Sequence, residues 1–166
     1  MVDARQRPGM LLVICGRAGA GKTTLARRLG VERDAILICE DQWLLRLFDG
    51  ASSLHEYVER RGRIRRLLAE HVPSMLAGGH SVVCDFGGNT IQDRSWSRAI
   101  ADSARAPMEL HYIVADSETC IARIAQRNRT RPDGVYWGDV SEELFHAVDR
   151  YFQPPGADEG LTVIEH

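Results

Sequence analysis

Five short apolar runs, separated by stretches of helical periodicity, organise the chain. The first, Met10-Leu11-Leu12-Val13-Ile14-Cys15, is unbroken by any polar residue, as a strand buried on both faces requires. Ala35–Cys39, Ser81–Cys84, Leu110–Ala115 and Leu161–Ile164 repeat the pattern. Between them, Leu25, Ala26 and Leu29 fall at helical spacing, with Gly30 as a stop. Leu44–Phe48 reads as a short helix closed by Asp49-Gly50, and Ser52 or Ser53 then caps a long one. The apolar stripe of that long helix is Tyr57, Ile64, Leu67, Leu68, His71, Val72 and Met75; Pro73 should kink it and Gly78-Gly79 end it. Thr90 with Asp93 forms a capping pair for a helix to about Ala104. Asp116 or Ser117 caps another through Ile121, Ile124 and Ala125 to about Arg129, broken by Pro132-Asp133-Gly134. Ser141 opens the last, with Leu144, Phe145, Val148 and Phe152 on its inner face and Pro154-Pro155-Gly156 beyond it. Strands alternating with helices predict an α/β fold whose parallel sheet is covered on both faces.

In such sheets ligands gather outside the carboxyl ends of the strands. The turn after the first strand is Gly16-Arg17-Ala18-Gly19-Ala20-Gly21-Lys22-Thr23, which fits the phosphate-loop pattern G-x-x-x-x-G-K-[ST]. Glycines let successive backbone N–H groups curl around a phosphate, and the following helix, entered through Thr24, points its positive end at the same place. Lys22 then reaches the β/γ-phosphates, and the Thr23 hydroxyl is a Mg²⁺ ligand. The chain holds 21 basic residues, of which Lys22 alone is lysine, so a sequence that otherwise uses arginine places a compact ammonium here. The pattern predicts a nucleoside triphosphate site.

Composition narrows the setting. At 166 residues the chain is expected to be one domain, and a formal net charge of −2 gives no overall attraction to nucleic acid or anionic membrane. Met1–Gly9 lacks the apolar core of a signal peptide and no run approaches spanning length, so a cytoplasmic protein without membrane partners is expected. Cys15, Cys39, Cys84 and Cys120 are scattered, and read as buried hydrophobes, not disulfides or zinc ligands.

Acidic residues at strand ends carry the candidate chemistry. Asp41, after the second strand, can accept the proton of an attacking hydroxyl; it also suits a helix N-cap, and one aspartate can serve both uses. Glu40 is its understudy. Asp85, after the third strand, suits Mg²⁺ binding or contact with the acceptor, or is simply a polar turn residue. Asp85-Phe86-Gly87-Gly88 also fits the D-x-x-G switch of a GTPase, but the guanine-reading motif needs a second lysine; D-F-G lacks the H-R-D loop of a protein kinase. Arg123, Arg127 and Arg131, spaced by four, share one helix face and suit a lid over phosphates, whereas Arg129 lies off it. In Glu59–Arg66, helical geometry turns Arg63, Arg65 and Arg66 away from Ile64 and Leu68 and leaves Arg60 and Arg61 near that stripe, where they suit an anionic acceptor group. Arg94 and Arg98 are similar candidates, and Trp43, Trp96 and Trp137 suit either pocket walls or packing.

With these residues in place, the chain resembles the small P-loop kinases related to polynucleotide 5′-hydroxyl kinase, zeta toxins and chloramphenicol phosphotransferase, an AAA-type ATP-binding kinase group. The resemblance runs from G-R-A-G-A-G-K-T through I-C-E-D-Q-W, V-V-C-D-F-G-G-N-T-I-Q-D-R and Q-R-N-R-T-R-P to V-S-E-E-L-F. It implies a P-loop NTPase three-layer sandwich with a five-stranded parallel sheet in the order 2-3-1-4-5. It implies an acceptor-side helical region over about 41–78 and a lid over about 123–138. Asp41 would be the general base, Arg127 and Arg131 lid arginines over ATP, and Asp85, Asn89 and Arg94 neighbours of the acceptor. Leu44 stands where polynucleotide kinases carry arginine after the base segment, with Arg46 nearby, and their D-T-N stretch is widened to D-F-G-G-N. The expectation is an ATP- and Mg²⁺-dependent kinase, monomer or homodimer, acting on a small hydroxyl compound of antibiotic, sugar or nucleoside type. A polynucleotide 5′-hydroxyl kinase and a non-catalytic ATP-binding switch or toxin-like regulator are the alternatives.

Overall fold

A computed structural model describes residues 7–48, 54–136 and 138–166. Five strands, β1 (Leu11–Cys15), β2 (Ile36–Ile38), β3 (Val82–Gly87), β4 (Met108–Tyr112) and β5 (Thr162–Glu165), form one parallel sheet in the order β2-β3-β1-β4-β5. The expected order holds. β1 lies at its centre, paired on both sides and fully buried, because it presents apolar side chains to both faces.

Helices cover both faces: α1 (Lys22–Glu32), α2 (Glu40–Phe48), α3 (Leu54–Ala77), α4 (Ile91–Ser103), α5 (Ser117–Thr130) and α6 (Glu142–Asp149). One apolar layer joins Leu11, Val13 and Cys15 of β1 to Ile64, Leu68, Val72 and Leu76 of α3 and to Ile100 and Ala101 of α4. The opposite layer packs Leu12, Ile14 and Val83 on Leu25, Ala26 and Leu29 of α1. The alternation of side chains along β1 divides these two cores. No described helix is long and apolar enough to cross a membrane. All four cysteines are free and buried.

Several caps fall where the sequence puts them. Thr90 Oγ1 accepts from Asp93 N at 3.0 Å, Asp116 Oδ1 from Thr119 N at 2.7 Å, and Ser141 Oγ from Leu144 N at 3.1 Å. Gly79, at φ 87°, ends α3 in a reversed turn closed by His80 N donating to Met75 O at 3.0 Å. The expected caps at Ser52 or Ser53, the Asp49-Gly50 closure and Trp137 lie outside the described residues.

Other expectations fail for identifiable reasons. α1 continues through Gly30 to Glu32, since Gly30 keeps a negative φ and a Cβ there would meet only ordinary contacts. Gly62 does not break α3, which runs from Leu54 to Ala77 with Pro73 also inside it. Its buried stripe is Ile64, Leu68, Val72 and Leu76; Leu67 is 55% exposed and His71 faces solvent, one position off the face that meets the sheet. On α6 only Phe145 is buried, while Leu144 and Val148 stay about half exposed because the helix lies at the periphery. β3 runs three residues beyond its expected end, so Asp85 is part of a strand, not of the turn after it.

Arg94 proves to be structural. Its side chain is 1% exposed, ion-paired with Glu159 through Nε (2.6 Å) and Nη2 (2.7 Å), and donates to Gly88 O and Gln153 O through Nη1. It fastens α4 to the segment leading into β5 and leaves no face for an acceptor, which corrects the expectation for that residue. Arg98 likewise donates to Gly160 O at 2.6 Å. Removing one partner of a buried ion pair strands the other, so Arg94→Met is expected to lower the unfolding free energy by about 3–5 kcal/mol, read from urea melts.

Candidate active site

The loop after β1 is shaped by its glycines. Gly21 (φ 106°) turns the chain into α1 in a conformation that favours glycine, and a Cβ on Gly19 (φ 78°) would stand 2.6 Å from Cys120 O. Lys22 Nζ donates to Gly16 O (2.8 Å) and Arg17 O (2.9 Å), so the ammonium folds back over the loop mouth. Burial lowers its pKa, while Asp85 and Asp41 draw it back up. Asn89 Oδ1 accepts from Gly16 N at 3.0 Å, which makes Asn89 a brace of the loop; it was expected beside the acceptor. Arg17 pairs with Asp149 of α6 and lies 5.1 Å over the Phe152 ring, a tie across 132 residues that no local pattern announces. Ala18 is partly buried beside Cys120 and Phe145. Beyond the loop a cavity of about 420 Å³ opens among Ala20, Gly21, Thr24, Ile113, Arg123 and His166.

Asp85 owes its position to an irregularity in β3. Val13 pairs with Cys84 but Ile14 pairs with Gly87, so Asp85 and Phe86 are extra residues in that ladder. Such bulges re-aim a side chain. Here Asp85 Oδ2 meets Thr23 Oγ1, which donates to it at 2.6 Å, with Cys39 Sγ at 3.5 Å. Asp85 Oδ1 is buried without a partner. Burial raises the Asp85 pKa to about 6, against the lowering pull of the Thr23 hydrogen bond and Lys22. A hydroxyl and a carboxylate in contact, one carboxylate oxygen waiting for a ligand, fit a hard cation held by few protein oxygens. Thr23 and Asp85 are the residues that would hold Mg²⁺, which when bound neutralises charge on the β- and γ-phosphates. Among the described residues no three His, Cys, Asp or Glu side chains gather as a metal cluster of their own.

An acid whose folded pKa is raised costs stability as pH climbs from its unfolded value through the folded one. Between pH 3.8 and about 6, Asp85 therefore accumulates a penalty of up to about 3 kcal/mol, kept at higher pH. In metal-free, nucleotide-free protein, Asp85→Asn is expected to raise the unfolding free energy by as much as about that amount at pH 7.5, with the gain gone near pH 4. Urea melts at the two pH values check it.

Asp41 lies in the first turn of α2, one residue inside the helix and not at its cap. It is exposed at the mouth of the cleft, yet the surrounding walls desolvate its carboxyl and raise its pKa. Glu40 adds to the rise, whereas Lys22, Arg61 and Arg127 oppose it. Those three cations belong to α1, α3 and α5.

Glu40, its neighbour, is 3% exposed and turns the other way. Its two oxygens accept from Arg61 Nε and Arg65 Nε, each at 2.9 Å. Arg65 also donates to Asp93 at 2.5 Å and lies 5.0 Å over Trp96 and 5.6 Å over Phe86. Arg65 thus points inward, against expectation: a buried carboxylate and two rings draw in a side chain that helical angle alone turns outward. Arg60 pairs with Glu56, donates to Phe48 O at 3.0 Å and covers the Phe48 ring. Trp43 and Trp96 pack on the core layer.

The arginines of the expected lid separate. Arg123 Nη1 donates to Ala20 O at 3.0 Å and borders the cavity. Arg127 is partly buried with its Nε unpartnered, and its charge opposes the rise of the Asp41 pKa. Arg131 ends α5 in a left-handed turn, 3.4 Å from Asp139 and over the Tyr136 ring, and is largely exposed. Asn128 holds Val140 by a donated bond of 2.8 Å and an accepted one of 3.3 Å, closing the loop between them. Residues 123–130 are therefore ordinary helix, and the loop of the expected lid begins at Arg131.

A glycine loop between a central strand and a helix, in a parallel sheet of order 2-3-1-4-5, with one carboxylate inside β3 and another at the start of α2, defines the class: a P-loop nucleotide-binding fold. The chain belongs to the AAA domain family, whose pattern matches residues 11–155. Solved structures of the same fold include a putative kinase from Chloroflexus aurantiacus, 22% identical, with a TM-score of 0.72 over 96% of this chain and 89% of that one. A sugar kinase from Janibacter sp. is 17% identical, with a TM-score of 0.62 over 95% and 86%. The APS kinase of Mycobacterium tuberculosis, solved with AMPPNP and APS, is 18% identical, with a TM-score of 0.56 over 95% and 88%. No curated protein matches the chain.

Proposed function

We propose that the protein is an ATP- and Mg²⁺-dependent kinase that moves the γ-phosphoryl group onto a hydroxyl of a small molecule. The observation that carries this reading is the built phosphate loop, with Lys22 folded over its mouth and Thr23 in contact with a buried Asp85 carboxylate whose other oxygen has no partner. The loop amides and Lys22 bind and orient the triphosphate. Asp41 accepts the proton of the incoming hydroxyl as its oxygen bonds to the γ-phosphorus. The bond from that phosphorus to the β-bridging oxygen breaks, and ADP leaves with its electron pair. Arg127 and Lys22 hold the charge that spreads over the transferring group. The kinases among the structures of this fold support the reading at the level of architecture.

The test is ADP release against a panel of sugars, nucleosides and hydroxyl-bearing antibiotics, with the product identified by phosphorus NMR. Acceptor-dependent release with a new phosphate ester is expected. Slow hydrolysis unchanged by every acceptor would replace the transferase with an ATP-binding switch.

A further inference from the structure

A row of polar groups that the phosphate loop and Asp41 do not use runs along one face of β4. Glu109 and His111 pair with Leu12 and Ile14 of β1, so they lie on the face that α1 covers. His111 is 1% exposed. Its Nε2 lies 3.3 Å from Glu109 Oε2, and both atoms are buried without any other hydrogen-bond partner. Its Nδ1 meets Nε2 of His166, the residue after β5, at 2.9 Å. The two rings are inclined by only 25° with centroids 5.2 Å apart, so they meet edge to edge and the contact lies in line. Arg33, 3.9 Å from Glu109 Oε2, closes the row at its far end. At the near end His166 lines the cavity of about 420 Å³ beside Ala20, Gly21 and Arg123.

Charge fixes the hydrogens along this row. An ionised Glu109 can only accept, so the His111 nitrogen facing it, Nε2, carries a hydrogen. Burial and His166 lower the His111 pKa, with Glu109 opposing, and the neutral ring leaves Nδ1 bare as an acceptor. His166 must then donate to it through Nε2. The one ring nitrogen that His166 has left for a ligand is Nδ1, which in the neutral ring accepts. The place of the cavity says which part of a nucleotide meets it. Thr23 and Asp85, which would hold Mg²⁺, mark the β3 side of the loop for the γ-phosphate, so the nucleoside end leaves toward β4, past Ala20 and Gly21. We propose that Glu109 and His111 are positioning residues that hold His166 as a hydrogen-bond acceptor for the nucleobase, so that the site takes a 6-amino purine in preference to a 6-oxo purine. The proposal rests on the nucleoside triphosphate reading of the loop. An exocyclic amino group donates to Nδ1, whereas a carbonyl oxygen meets it lone pair to lone pair and leaves both unpaired.

Nitrogen-15 NMR of the histidine rings at about pH 8.5, above the ordinary histidine range, reads the row without any ligand. His111 and His166 are both expected to carry the hydrogen on Nε2 and none on Nδ1. A His166 ring protonated at Nδ1, or averaging over both forms, would overturn the proposal. Calorimetry with ATP, GTP and ITP gives the second readout, and the Kd for ATP is expected to lie at least about tenfold below the other two. Equal values for all three would overturn this proposal and leave the phosphotransferase reading standing. Binding of none of the three would overturn both.

Two variants probe the cause. Glu109→Gln removes the charge that orders the row, since an amide can donate or accept, and is expected to narrow the preference for ATP over ITP at least about threefold. His166→Phe, at an exposed position, keeps a ring but deletes the acceptor, and is expected to bring the two Kd values within about twofold. Inorganic tripolyphosphate, which has no base, separates these effects from damage to the loop. A weakening that falls equally on tripolyphosphate, ATP and ITP, with the preference constant in both variants, would make the row a mere support and overturn the assignment.

Discussion

Lys22→Ala should bring phosphoryl transfer close to background, a loss of at least about a thousandfold in kcat. The ammonium sits over the loop mouth, donating to Gly16 O and Arg17 O, and these carbonyl bonds are ones a triphosphate replaces with stronger, charge-assisted ones. Burial lowers its pKa, and two carboxylates, Asp85 and Asp41, oppose that shift. Arginine is not an equivalent, because a planar fork cannot occupy the place of a compact ammonium between two carbonyls. Lys22→Arg should therefore fail nearly as badly, with a melting temperature close to that of the parent protein. Single-turnover assays beside thermal melts check both variants, and an Ala variant retaining a tenth of the parental rate would remove Lys22 from the chemistry.

Asp41→Asn is expected to lower kcat by ~10²–10⁴, the usual worth of a positioned general base, while the Kd for ATP stays within about twofold. The amide keeps the shape and the start of α2 but cannot take a proton. The pH profile gives a second readout. Desolvation of its carboxyl and the neighbouring Glu40 raise the Asp41 pKa, so turnover of the parent protein should fall on the acid side as Asp41 protonates. That limb disappears in Asp41→Asn, leaving a slow rate that no longer follows this group. An Asn variant with near-parental turnover and an unchanged acid limb would reject the assignment.

The architecture was legible because it is written in local pattern: five apolar runs, an invariant loop spacing and caps within a few residues of the helices they open. The site was legible as far as it depends on strand ends, which is why Lys22, Thr23, Asp41 and Asp85 all lie at one edge of the sheet. What was not legible is long-range. Arg94 looked like Arg98 and Arg60 in sequence, and only the packing of α4 under the C-terminal segment gives it Glu159 as a partner. Arg65 was turned outward by helical angle, but Glu40 and Asp93, on two other helices, pull it inward. The tie between Arg17 and Asp149 joins the phosphate loop to a helix that the sequence linked only to the lid's end of the chain. Each of these three is a charged side chain whose partner lies more than twenty residues away.

The doubled step in β3 also limits how this chain can change. Only Asp85 and Phe86 lie between Cys84 and Gly87, so deleting one residue there removes either the carboxylate that meets Thr23 or the ring that packs with Cys84 in the layer under α3 and α4. Only the loss of two residues together restores alternation, and it discards Asp85 altogether. Insertions and deletions should thus be tolerated in the loop after α5 long before they are tolerated here, so the length of this one strand is held as firmly as the identity of any residue in it.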